Sequence, residues 1–75
     1  MEQLDRILVH PATIGGKPCI RNTRVTVAMI VGQTASGHAI DALLDDYPYL
    51  ERDDILQALR YAARLLQSPH FVTKV

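Results

Sequence analysis

Apolar residues recur at helical spacing through the second half of the chain and only in short bursts through the first third. Ile40, Leu43, Leu44 and Tyr47 fall at i, i+3, i+4 and i+7, an amphipathic stripe that Pro48 ends because proline lacks the amide proton the helix needs. Upstream, Thr26 is a natural N-cap for a helix of about ten residues carrying Val27, Ile30 and Val31, with Ser36-Gly37 marking its end. Downstream, Leu50 precedes Glu51-Arg52-Asp53-Asp54, whose carboxylates suit the positive end of a helix dipole. Ile55, Leu59, Ala62, Ala63 and Leu66 then continue a third and longest helix to the vicinity of Ser68-Pro69.

The first third reads differently. Ile7-Leu8-Val9 is a β-prone run stopped by His10-Pro11; Cys19-Ile20 and Arg24 to Val27 are two further fragments, separated by a turn at Asn22, which tolerates positive φ. Each is too short for a stable sheet of its own. The pattern predicts a mainly α chain with a short N-terminal β arm, residues 1–26. A three-helix, helix-turn-helix-like bundle over 27–67 and a tail over 68–75 complete a single domain. That tail, with Phe71 and Val72, is more apolar than a solvated terminus requires.

At 75 residues the chain hides only ~60% of the surface its unfolded form exposes, so its core is small. Hydrophobic residues make up 48% and charged residues 21%, a globular composition. A single cysteine excludes a disulfide framework and a cysteine-based metal site, and fits a reducing compartment. With neither a secretory leader nor a membrane-length apolar run, the expected location is the cytoplasm. Formal charge is zero overall but segregated: residues 1–27 carry +2, residues 28–56 carry −5 and the remainder +3.

Gly15-Gly16-Lys17 falls short of a phosphate-binding loop, which needs four residues between its glycines and a Ser or Thr after the lysine, where Pro18 stands. The histidines at 10, 38 and 70 lack the pairing that puts two on one helical face, so no metal site is expected. Asp45-Asp46 and Asp53-Asp54 have no accompanying base or nucleophile, and neither an enzyme, a cofactor nor a small-molecule substrate is indicated. Lys17, Arg21 and Arg24 carry more information. Three cations within eight residues, without an intervening acid, suit phosphate neutralisation, with Asn22 adding a hydrogen bond. The alternative is a solvated loop whose cations offset the acidic helices by pairing with Asp45 or Asp46. On the third helix Gln57, Arg60 and Arg64 share a stripe with Asp53; Arg60 and Arg64 are candidate nucleic-acid contacts, although Asp53 and Asp54 repel phosphate where a recognition helix enters a groove.

The segment "HPATIGGKPCIRNTRVTV", followed by "ASGHAIDALLDDYPYLERDDILQAL", resembles the small prokaryotic family known as domain of unknown function 433, often described as antitoxin-like. The resemblance covers roughly residues 5 to 65. Gly15, Gly16, Lys17, Pro18, Ile20, Arg21, Thr23 and Arg24 match the pattern, and Tyr-Pro-x-Leu follows; Asn22 stands where glycine is usual, and His10 where aspartate is expected. Ala39 and Glu51 replace the Ser or Thr caps expected there, which weakens the starts of helices two and three by about 1 kcal/mol each. His38 is an alternative cap for helix two.

The resemblance implies a β arm ahead of a helix-turn-helix-like bundle, a homodimer, and a role beside a PIN-like ribonuclease toxin encoded next door. On this reading Cys19, Ile20 and Val25 lay strand segments beside another subunit's copy, while Phe71 and Val72 anchor the toxin. Lys17, Arg21 and Arg24 face an operator DNA, and no membrane is involved. The rival readings are a stand-alone DNA-binding regulator without a toxin and a purely structural interaction module.

Overall fold

A computed structural model describes residues 4–9 and 16–67. Three helices form where the periodicity places them: α1 at Val27–Ala35, α2 at Ile40–Asp46 and α3 at Arg52–Leu66. Thr26 caps α1 as expected, its hydroxyl accepting from the Met29 amide at 3.0 Å. Gly37, at a φ of 100°, turns the chain out of α1 in a region of backbone space that side chains with a Cβ avoid. The alternative cap by His38 is not formed at α2; its Nδ1 lies 3.1 Å from the carbonyl oxygen of Gln33, at the end of α1 instead. α2 starts at Ala39 with no side-chain cap.

Helix α3 starts better than its N-cap residue promises. Glu51 was expected to leave it weakly capped, but Asp54 Oδ2 accepts from the Glu51 amide at 2.8 Å. The carboxylate that does this is itself buried and held from outside the helix by Arg6 at 2.9 Å.

Two short strands, β1 at Ile7–Leu8 and β2 at Cys19–Ile20, pair antiparallel with Ile7 opposite Ile20 and Leu8 opposite Cys19. The expectation that a second chain supplies the missing strand is corrected here, because β2 finds neighbours on both edges within its own chain. On one edge is β1, extended by the Arg21 amide donating to the Arg6 carbonyl at 2.8 Å. On the other, Ile20 N donates to Val25 O at 2.9 Å, Val27 N donates to Pro18 O at 3.0 Å, and Cys19 bridges Thr26. Asn22 makes this hairpin-like return with a φ of 63°, as its residue type allows. Thr23 pins the return, its hydroxyl donating to Ile20 O at 2.7 Å and accepting from Val25 N at 3.0 Å.

Ile20, Val25, Val27, Ile30, Leu43, Leu50, Ile55 and Ala58 form the core, joined at its margin by Ile7, Ile40, Leu44, Tyr47, Leu59, Tyr61 and Ala62. Val31, Ala63 and Leu66, read from periodicity as members of buried stripes, are exposed. For Ala63 and Leu66 the reason is length. α3 has fifteen residues against nine in α1 and seven in α2, so its last turns run beyond the helices that could cover them. Deletion of side-chain atoms should follow this division. Leu43→Ala should cost about 2–5 kcal/mol, Thr26→Ala about 1 kcal/mol, and Leu66→Ala no more than about 0.5 kcal/mol. Urea denaturation with an unchanged slope measures all three; equal losses at Leu43 and Leu66 would contradict the assignment.

Candidate functional site

The front of the chain is held to α3 by one cation and one amide. The Arg6 guanidinium bonds Glu51 and Asp54, with Asp53 at 3.9 Å, while its backbone N–H donates to Gln57 Oε1 at 2.9 Å. Gln57 Nε2 in turn donates to Asp5 Oδ1 at 3.2 Å. These bonds raise the Arg6 pKa above its ordinary value, the Glu51 bond contributing most and Asp54 next. The Gln57 bond is the leading reason that Asp5 titrates below the ordinary carboxylate range, with the Arg21 and Arg6 charges helping. Gln57, read as part of an exposed stripe with Arg60 and Arg64, is therefore half-buried and engaged by the arm; Arg60 and Arg64 are exposed.

Around this clamp the arm cations separate. Lys17 lines an apolar groove with Pro18, Val27, Val31, Tyr61 and Leu65. Arg21 borders a cleft over Arg6, Glu51 and Asp54, its guanidinium 3.4 Å from the Asp5 carbonyl. Arg24 lines a neighbouring open cleft of about 620 Å³ with Leu8, Cys19, Asn22, Thr23 and Tyr49. The last two clefts share Asn22, Thr23 and Tyr49, so Arg21 and Arg24 flank one surface from which Lys17 stands apart. Among the described residues the ion pairs run from Arg6 to Glu51, Asp53 and Asp54 and from Arg52 to Asp41, rather than from the arm cations to Asp45 or Asp46.

Cys19, Ile20 and Val25, expected to face a second subunit, are buried at 2%, 1% and 2% exposure. Their side chains are spent on this chain's own core. Phe71 and Val72 lie outside the described residues. Two residues that the sequence did not single out now stand at the surface, Leu8 at 42% and Tyr49 at 63% exposure. The Tyr49 ring meets Tyr47 edge-on, centroids 6.3 Å apart, and Tyr47 Oη accepts from Gln33 Nε2 at 3.0 Å. A turn aromatic directly after proline was the available signal for Tyr49.

The profile of the family described as "Protein of unknown function (DUF433)" matches residues 7–62. The chain belongs to this family. An uncharacterized protein, y4eO, of Sinorhizobium fredii is 36% identical over 52 residues, covering 69% of the chain and 24% of that protein. A DUF433 member protein from Anabaena variabilis, solved by crystallography, superposes with a TM-score of 0.75 at 34% identity, over 87% of the chain and 61% of its own. The chain thus spans less than two thirds of the length of either relative. Its match begins at β1 and ends within α3, so Glu51, Asp53, Asp54 and Gln57 fall inside the matched region while Asp5 and Arg6 lie just ahead of it.

The clamp has a pH signature. Because the Asp5 pKa is lower in the folded chain than the ordinary 3.8, its contribution is complete above that value and is lost as pH falls through the folded-state pKa. The urea midpoint should therefore drop as pH falls below about 3.8, and less so in Asp5→Asn. Parallel curves for the two proteins would refute the role given to Asp5. Arg6→Ala should lower the midpoint more than Arg52→Ala, since the Arg52–Asp41 pair is exposed on both sides.

Proposed function

We propose that this chain is a non-enzymatic antitoxin-type protein that neutralises a PIN-like ribonuclease by direct binding in the cytoplasm. The observation that carries this reading is the large apolar surface on a small chain whose core is already closed. Leu8, Val9, Met29, Val31, Tyr49, Leu65 and Leu66 are all at least 36% exposed. Singly such residues are ordinary; Leu8 and Tyr49 beside one cleft, and Val31 and Leu65 beside another, are the kind of surface a protein partner covers. Family membership supports the same reading through the resemblance described above. The chain acts as a homodimer here, through surfaces other than the buried faces of Cys19, Ile20 and Val25. Among the described residues, no helix is long and apolar enough to cross a membrane.

Autoregulation at an operator is the second role, supported by Arg21 and Arg24, both exposed on the arm turn and lining two adjoining clefts. Reading of bases by α3 is less well supported, because Arg6 lies across its first turn and Glu51, Asp53 and Asp54 make that end acidic. Co-expression with the product of the adjacent gene is the test. The expected result is co-purification and rescue of growth arrest caused by that product alone. A neighbour that is neither toxic nor bound, with specific DNA affinity surviving physiological salt, would replace this reading with a stand-alone regulator.

A further inference from the structure

We infer that the cleft between Leu8, Tyr49 and Arg24 receives an extended, acidic segment of a protein partner, one apolar side chain entering between Leu8 and Tyr49 and a carboxylate meeting Arg24. The inference rests on the protein-binding reading above and assigns that binding to a place. The cleft is open and about 620 Å³, its surface mainly apolar, with Leu8 and Cys19 forming the apolar side. Among the described residues no acidic one lines it, and Arg24 is its charged group. Charge complementarity therefore selects a carboxylate, and the apolar floor selects a neighbouring aliphatic or aromatic side chain.

The walls are set before any partner arrives. Arg24 stands between Thr23 and Val25, whose hydrogen bonds to Ile20 fix the backbone on either side of it. Tyr49 is braced by Tyr47, which is held by Gln33, so the exposed ring loses little freedom on being covered. A nucleic-acid strand is the competing occupant, with Tyr49 as a stacking surface. It is disfavoured because a strand needs a track of cations, and Lys17 lines a separate groove while Arg21 leans on the Asp5 carbonyl.

The test uses the intact chain, labelled with nitrogen-15, titrated with a short acetylated peptide alternating aspartate and leucine. A lysine–leucine peptide and an oligouridine serve as comparators. The acidic peptide should shift the amides of Leu8, Asn22, Thr23, Arg24 and Tyr49, and bind at least about tenfold more tightly than the basic one. Arg24→Glu should remove that preference, Arg24→Lys should keep most of it, and Tyr49→Ala should weaken binding on the order of fivefold. Arg24 and Tyr49 are exposed, so unchanged thermal unfolding of these variants confirms that folding is intact. Equal binding of both peptides, shifts confined to Val31 and Leu65, or tighter binding of oligouridine would each overturn the inference. Arg24→Glu that still captures the adjacent gene product at full affinity would overturn the site and leave the antitoxin reading standing; loss of capture by the unaltered chain would overturn that reading first.

Discussion

The Arg6 guanidinium, shared among carboxylates at the first turn of α3, is the constraint from which the rest of the arrangement follows. A pair of two-residue strands has too few backbone bonds to persist alone. Arg6 and Gln57 fix the segment ahead of β1 onto a long, well-packed helix, and β1 then covers one edge of β2. With the return through Asn22 and Thr23 covering the other edge, Ile20 and Val25 are driven into the core and Thr26 is delivered to cap α1. Arm and bundle are thus a single packing unit, although the sequence reads as two.

Local signals were legible and long-range ones were not. Thr26, Gly37 and Pro48 mark helix limits through their own backbone chemistry, so α1 and α2 could be placed from the chain alone. Asn22 likewise declared its positive φ. The start of α3 differs from expectation because Asp54, three residues on, completes a capping box with Glu51, and Arg6, 48 positions from Asp54, holds that carboxylate in place. Periodicity placed Ala63 and Leu66 on an apolar face without revealing that α1 and α2 are too short to cover the last turns of α3, and placed Val31 on a stripe that the fold leaves exposed beside a groove. Strand length was readable, but the identity of the strand's partner was not, which is why a second chain was invoked for edges that this chain fills itself.

The arm turn has an inside and an outside in the same way. Residues chosen for partner contact in the arm, Cys19, Ile20 and Val25, are the interior of the turn, whereas its exterior presents Arg21, Asn22 and Arg24 beside Tyr49. The turn between α2 and α3 and the turn within the arm meet only in the folded chain, since residues 22–24 and residue 49 belong to separate segments. Their meeting depends on the clamp that seats the arm, which links the stability of the front of the chain to the surface it offers.

Native-state hydrogen exchange tests the central claim most directly. The Arg21 amide, which donates to Arg6 across the β1–β2 pair, and the Val27 amide, which donates to Pro18, should open with free energies close to that of Ile30 inside α1. Exchange of Arg21 and Val27 at the rates of freely solvated amides, while Ile30 stays protected, would mean that the arm is not fastened by its own chain and would contradict the account.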